Sequence, residues 1–536
     1  DVSEGKHHPI YTAHTYHTKV PHQAVQKFIE HYTESGDVVF DGFCGTGMIG
    51  VAASLSGRYA IVSELCPAAT FIAYNLLHPL EPNNFKKEFQ EILDDVKNEC
   101  KWMYKTKHTT QAVNTRTKEH PYFIDGTEIE GNINYVVWND VYKCPYCQNE
   151  ICFGETQDEN KPGEFKEKFT CPFCDAEISE NESERIKLKV YNGYLKKEID
   201  MIKQKPILVS YSIGSQNFWK KPDDYDLEII NRIDKSEIPN WIPIIPIPKG
   251  DKTIELHNKG IRSIHQLFTK RNLWTISKFL EIIKGKDIRY WFIISSLLQK
   301  SSKMMAINSD YVGRVMKGTI YIPPLSQEIN PFYFIDKNLT SFIKALNDLK
   351  NLSQNNMIST QSSTDLSNIP SNSIDYIFTD PPFGSNIMYS ELNQIWEGFL
   401  RVLTNNKHEA IINNSQNKDL LEYTELMKLC FKEMYKILKP NRWITVEFHN
   451  SKASIWNGIQ EALTRAGFII AQVAVLDKKI PSFNQINSPS GAVKNDLIIN
   501  AYKPIKEFAQ RFLKNAGEGM EVDFVVQQLG HLPVRP

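Results

Sequence analysis

An open α/β sheet covered by helices on both faces and interrupted by a long insert is the fold class the sequence predicts. Three observations predict it. Short apolar runs alternate with amphipathic stretches of helical period over residues 21–80 and again over 357–503, the pattern of a doubly wound sheet. A glycine-rich turn, Asp41-Gly42-Phe43-Cys44-Gly45-Thr46-Gly47, joins a strand to a helix in the first of these segments. From Leu80 to about Asn355 the alternation stops, and two Cys-x2-Cys pairs appear in the gap.

The chain has 536 residues, 41% hydrophobic and 23% charged, which suits a soluble protein of three or four domains. Its formal net charge is -1, so any contact with nucleic acid must come from local basic patches. Apolar runs are broken well before bilayer length, and no signal-peptide pattern opens the chain. Nine cysteines without an obvious paired framework suit a reducing compartment, so a cytoplasmic location is expected.

In chain order, residues 7–22 carry His14, Tyr16, His17, Thr18 and Lys19 ahead of an amphipathic helix from about Pro21 to Tyr32. Metal binding by these histidines is disfavoured, because none forms an i, i+4 pair with a carboxylate. Val38–Phe40 reads as a short buried strand, and a helix of small apolar residues begins near Met48. Glycines at this junction let the backbone approach a ligand closely, and the helix N-terminus favours negative charge. No Gly-Lys-Ser/Thr follows, which argues against a phosphate-cradling loop. The next strand, Tyr59–Ser63, delivers Glu64 one βα unit later, where an acid receives ribose hydroxyls in nucleotide-binding half-folds.

The insert begins with a charged helix over Asn84–Met103. Cys144, Cys147, Cys171 and Cys174 then form two knuckles around a polar loop, the spacing of a structural Zn²⁺ ribbon. A redox dithiol or unliganded surface thiols are the alternatives. Four sulfur ligands leave no site for an activated water, which argues against a zinc deaminase. Pro239–Pro248 reads as an extended connector. Between Lys259 and Lys317 cations prevail, among them Lys270, Arg271, Lys300, Lys303 and Arg314, interleaved with Trp274, Tyr290, Trp291 and Tyr311. Such a stretch can contact DNA phosphates and bases. Equally, it can be a pair of packed helices with solvated lysines and core tryptophans.

The alternation resumes with Met357–Gln361, a polar loop over Ser362–Asp365, and the apolar strand Ile374–Phe378. That strand runs into Thr379-Asp380-Pro381-Pro382-Phe383-Gly384. A carboxylate, carbonyls on a stiff Pro-Pro segment and an aromatic face just past a strand's carboxyl end suit a pocket for the amino group of a planar base. A plain turn after a core strand is the alternative. Helices are expected over Ser390–Leu403, Tyr423–Leu438 and Ala453–Ala466. Strands are expected over Trp443–Phe448, Phe468–Val475 and Leu497–Tyr502.

DGFCGTG followed much later by TDPPFG resembles the two signatures of S-adenosylmethionine-dependent amino-methyltransferases, and HTYHTKVP resembles the segment packed over the cofactor's methionine part. Gly42 stands where the family usually has proline, and Met48 where it usually has threonine. The zinc ribbon between the signatures, with DPPFGSNIMYSELN, VEFHN and GAVKNDLII, is similar to zinc-ribbon-containing adenine-specific DNA methyltransferases of α-class motif order. The resemblance implies a Rossmann-like sheet closed by a hairpin. It implies S-adenosylmethionine held by His17, Thr18, Lys19, Asp41, Phe43, Cys44, Gly45, Thr46, Gly47, Glu64, Ser362 and Asp380. It implies catalysis by Asp380, Pro381, Pro382 and Phe383 on an adenine N6 of duplex DNA, the base being flipped. Expected divisions are a cofactor half at 1–80, a helical or linker part of the insert at 81–140, the ribbon at 141–180, a helical target-recognition region at 181–355, a catalytic half at 356–503 and a helical tail at 504–536. A partner endonuclease or defence subunit is an expected associate. Cytosine-N4 or RNA guanine-N2 methylation, and a catalytically silent nucleic-acid-binding subunit, are the alternatives.

Overall fold

The computed structural model describes residues 7–117, 119, 129–156, 168–307, 313–353, 355–448, 452–476 and 496–505. They belong to two compact units, one of residues 1–81, 344–393 and 402–536, the other of residues 82–343 and 394–401. The expected tail helices after Ile505, and parts of the VEFHN and GAVKNDLII stretches, lie outside the described residues.

The first unit is built on seven strands: β1 (Val38–Asp41), β2 (Tyr59–Glu64), β3 (Met357–Thr360), β4 (Ile374–Thr379), β5 (Leu438–Phe448), β6 (Ile469–Leu476) and β7 (Asp496–Tyr502). Their order in the sheet is β3-β2-β1-β4-β5-β7-β6. β1 to β5 pair in parallel, and β7 runs antiparallel to both its neighbours. This is a Rossmann-like doubly wound sheet closed by an antiparallel strand. Its connection reverses direction between β1 and β4, and ligands of open α/β sheets bind outside the carboxyl ends at such a point.

Local sequence explains these elements. All six residues of β4 are buried, so an apolar run with no solvent face becomes a central strand. Helix α1 (His22–Tyr32) buries Val25 and Ile29 at helical spacing, whereas α2 (Met48–Leu55) is buried at every residue but Leu55. Small residues let α2 sit tightly: a Cβ added at Gly50 would lie 2.9 Å from Val62. Helix α3 is Pro67–Leu77, opened by a proline that costs no helical hydrogen bond. Helices α4 (Leu420–Ile437) and α5 (Ala453–Ala466) pack on the β4–β5 side through Phe431, Met434, Ile459 and Leu463, beside Ile377 and Ile444. Each such buried side chain is worth about 1.5–3 kcal/mol. Gly467 ends α5 in the left-handed region at φ 106°. At the amino edge Asp375 accepts Val38 N–H at 3.1 Å and pairs with Lys439 and Arg442, which pins β1, β4 and β5 together.

The second unit corrects the expectation of a mainly helical recognition region. An eight-stranded sheet organises it, centred on Glu130–Asp140 between Gln204–Ile213 and Leu325–Ile329, all antiparallel. Helices Pro82–Cys100, Asp224–Lys235 and Lys270–Ile283 accompany it. The helix expected over Ser390–Leu403 is two, Tyr389–Leu392 and Gln394–Leu400, and the second belongs to this unit. Among the described residues, no helix is long and apolar enough to cross a membrane.

Candidate active site

A cleft of about 820 Å³, counting its open mouth, lies at the carboxyl ends of β1, β2 and β4. Thr18, Lys19, Phe43, Cys44, Gly45, Thr46, Glu64, Ser362, Asp380 and Pro382 line it. Two motifs separated by more than 300 residues therefore share one cavity.

The glycine-rich loop is shaped by its own backbone. Gly45 and Gly47 have φ of 47° and 78°, and Gly47 N–H donates to Cys44 O at 2.7 Å. A Cβ at Gly47 would lie 2.8 Å from the Cβ of Ala73, so α3 crosses too closely for any other residue. At Gly42 a Cβ would meet Met434 Cε at 2.5 Å and Ser363 Oγ at 2.7 Å. The departure from proline at Gly42 thus has a partner: Met434 and Ser363 occupy the space a ring would take.

Glu64 braces this loop. Its Oε2 accepts Gly45 N–H at 2.9 Å, while Oε1 accepts Leu65 N–H at 2.8 Å and Cys66 N–H at 3.2 Å. Burial pushes the carboxyl up, and the three amides oppose that shift. Asp41 lies behind the cleft, fully buried. Its Oδ1 accepts Phe43 N–H at 3.0 Å and the Thr379 hydroxyl at 2.9 Å, whereas Oδ2 has no hydrogen-bond partner among the described residues. Burial raises this carboxyl to about 7.

The second motif is anchored from both sides. Tyr423 donates its hydroxyl to Pro382 O at 2.8 Å, and Ile412 N–H donates to Gly384 O at 3.1 Å. Phe383 does not line the cleft; its ring meets Phe448 edge to face at 5.2 Å, against the β5–α4–α5 core. Pro381 is buried and, like Gly47, outside the lining.

The amino-terminal segment closes one wall. His17 is buried, its Nε2 3.1 Å from Asn393 Oδ1, and desolvation lowers it to about 4, so the imidazole is neutral. Asn393 Nδ2 donates to Tyr16 Oη at 3.1 Å. Lys19 turns its ammonium to the carbonyls of Tyr11 and His14. Thr18 Oγ1 lies 3.3 Å from Tyr389 Oη.

Cys66, Ser363, Tyr389 and Glu409, to which sequence reading assigns no role, also line the cleft, as does Tyr16, which it singles out without a role. Tyr16 stood inside the quoted HTYHTKVP, and Tyr389 follows Phe383 by six positions in the same motif stretch. Glu409 had no sequence signal; it is buried and bound to Ser390 N–H at 2.8 Å and Ser390 Oγ at 2.5 Å.

The four knuckle cysteines come together in the second unit, their sulfurs all within 4.8 Å of one another. Cys144 to Cys174 is 3.8 Å and Cys147 to Cys171 is 3.7 Å. Tetrahedral Zn²⁺ with Zn–S of ~2.3 Å separates its sulfurs by about 3.8 Å, while a disulfide needs ~2.05 Å. The donor set fits Zn²⁺. Both knuckles turn alike: Gln148 and Asp175 are left-handed at φ 63° and 58°, each returning its N–H to Cys144 O or Cys171 O at 3.0 Å. Cys152 stands apart, with its thiol on Asn139 Oδ1 at 3.2 Å.

The basic candidates of the second unit do not form one surface. Arg271 is 4% exposed and paired with the buried Glu328, so its charge is spent inside the fold. Lys270 donates to Asp234 O, and Lys303 is half-buried with its amine pushed down by desolvation. Lys300 sits 4.1 Å over the Phe334 ring, lowered to about 8 by burial. Arg314 is exposed, on the edge strand Gly313–Val315. Tyr290 and Trp291 are core residues, which bears out the packed-helix alternative for Trp291 and corrects the reading of both as base-contacting rings. Tyr311 lies outside the described residues.

Sheet order and cleft define a Rossmann-like methyltransferase fold. Residues 2–75 and 374–523, which hold both cleft motifs, match the sequence model of the DNA methylase family. No curated protein matches the chain. Solved structures align over about a third of it: a Thermoplasma acidophilum protein assigned as a methyltransferase (12% identity, 32% of this chain and 55% of that one, TM-score 0.17), TrmN from Thermus thermophilus (14%, 31% and 34%, 0.16), and the 16S rRNA (adenine(1408)-N(1))-methyltransferase of Catenulisporales acidiphilia (12%, 31% and 73%, 0.18).

Proposed function

We propose that the chain methylates the exocyclic nitrogen of a DNA base, adenine N6, with S-adenosylmethionine as donor. The observation that carries this reading is the meeting of the two motifs in one cleft, Gly45, Thr46 and Glu64 on one side and Asp380 and Pro382 on the other. S-adenosylmethionine, when bound, supplies a methyl group on a sulfonium. Glu64 and the Gly45–Thr46 backbone would hold it, the acid taking ribose hydroxyls.

An exocyclic amine is a poor nucleophile because its lone pair is delocalised into the ring. Asp380, which lines the cleft, accepts a hydrogen of the amine, favours a pyramidal nitrogen and stabilises the charge that develops there, whereas the Pro381 carbonyl expected as a second acceptor lies outside the lining. Fixed orientation of this kind can supply ~7–11 kcal/mol of the barrier reduction. Cys44 takes no part as a nucleophile, since burial pushes its thiol well above the usual range. A base in a duplex must leave the stack to reach Asp380. The aspartate before the two prolines, resembling adenine-N6 enzymes, is the ground for adenine over cytosine. Zn²⁺ in the ribbon is structural, and residues 181–355 supply target recognition, with Arg314 available to phosphate.

The test is transfer of labelled methyl to mixed unmethylated duplex DNA, with the modified nucleosides identified by mass spectrometry. N6-methyladenine is expected. Label confined to tRNA or rRNA would move the acceptor to RNA, and label on neither would leave a silent nucleic-acid-binding chain.

A further inference from the structure

We propose that Tyr389, rather than Phe383, supplies the ring face against which the acceptor base lies; the inference rests on the methyltransferase reading of the cleft. Stacking demands an aromatic face open to the cavity and beside the acceptors. Phe383 does not line the cavity; it is half-buried against the core of β5, α4 and α5, its ring edge to face with Phe448 at 5.2 Å and 82°. Tyr389 meets the demand, lining the cavity together with Asp380 and Pro382.

The ring is also held in place from two directions. Its hydroxyl lies 3.3 Å from Thr18 Oγ1. The His17 imidazole stands edge-on at 6.5 Å, itself fixed by the buried Asn393. The Tyr389 carbonyl accepts Asn393 N–H at 2.9 Å, the bond that closes the short helix, so the backbone of Tyr389 is fixed as well. A ring fixed before the ligand arrives loses little conformational freedom on binding, which is what a stacking platform requires. Tyr389 opens the short helix Tyr389–Leu392, so its placement is set by backbone as well as by side-chain contacts. Phe383, in contrast, keeps the Asp380–Pro382 segment seated through the core.

The experiment uses the full chain with Tyr389→Phe, Tyr389→Leu and Phe383→Leu. It compares kcat and KM for long unmethylated duplex DNA and the affinity for S-adenosylmethionine by calorimetry, with circular dichroism to verify folding. Tyr389→Leu keeps side-chain bulk but no flat π face, and it is expected to lower kcat/KM for DNA by roughly 5- to 150-fold, the size of one lost base–ring stack. Cofactor affinity should stay within about twofold. Tyr389→Phe restores most of the loss, and Phe383→Leu lowers thermal stability more than it changes KM. An unchanged kcat/KM in Tyr389→Leu, or a loss explained by weaker cofactor binding, overturns the proposal while leaving the methyltransferase reading intact. Absence of methyl transfer to any nucleic acid by the unmodified chain overturns that reading and the proposal with it.

Discussion

The Thr379 hydroxyl donates to Asp41 Oδ1 at 2.9 Å, joining the last residues of two adjacent parallel strands. One hydrogen bond thus links the cofactor-side loop to the acceptor-side loop. It does so from beneath the cleft, where Asp41 is fully buried. Because burial raises the Asp41 carboxyl from 3.8 to about 7, its contribution to stability is present below about pH 4 and is lost as pH rises through about 7. Asp41→Asn keeps the acceptor toward Thr379 but cannot titrate. Urea melts of cofactor-free protein at pH 5, 6.5 and 8 should show the native chain losing stability relative to the variant as pH rises. A difference independent of pH would mean that Asp41 does not titrate in this range.

Replacing Asp380 with alanine removes the carboxylate proposed to hold the amine. Transfer should fall by at least about 10²- to 10³-fold, as when one oxyanion-type partner is deleted, while S-adenosylmethionine still binds. Retained turnover would remove Asp380 from the mechanism.

Glu64→Gln places an amide donor against backbone donors. At most one oxygen can then serve Gly45, Leu65 and Cys66, and each buried N–H left over costs about 1–3 kcal/mol. Weaker cofactor binding and a lower melting temperature are expected together. Calorimetry and a thermal melt check this, and an affinity unchanged by the substitution would show that the loop is not held by Glu64.

The ribbon should carry one zinc per chain by elemental analysis. Removing it with a chelator, or substituting Cys144→Ser or Cys171→Ser, should release the Tyr142–Ile151–Phe169–Ile178 core that the knuckles enclose. Faster proteolysis within 141–185 reports this. A metal-free protein with unchanged proteolysis would reduce the knuckles to ordinary turns.

The parts of the fold that the sequence made legible are those with a strong local cause. Helix Ala453–Ala466 was bounded to the residue, because Gly467 supplies a left-handed cap at its end. Strands β1, β2 and β4 were placed within a residue, since each is a short apolar run cut by glycine, acid or proline. Opaque parts depend on partners distant in sequence. The strand Glu130–Asp140 is rich in asparagine and reads poorly as a strand until Gln204–Ile213 and Leu325–Ile329 are seen on its two edges. Arg271 looks like any phosphate-binding cation until Glu328 is found beside it. Phe383 looks like the stacking ring because the motif ends on it, yet its orientation is decided by Phe448, 65 positions later.

The sheet order has a consequence for synthesis. β1 finds β2 within its own βα unit, but its other edge is covered only by β4, which follows the whole of residues 82–343 in the chain. At roughly 5–20 residues per second on the ribosome, Val38–Asp41 waits on the order of tens of seconds with a row of unpaired amides and carbonyls. During that interval an exposed strand edge can recruit the wrong neighbour. The eight-stranded sheet of the second unit draws all its strands from residues 105–329, so it can pair them with one another before β4 is made and leave none to become that neighbour.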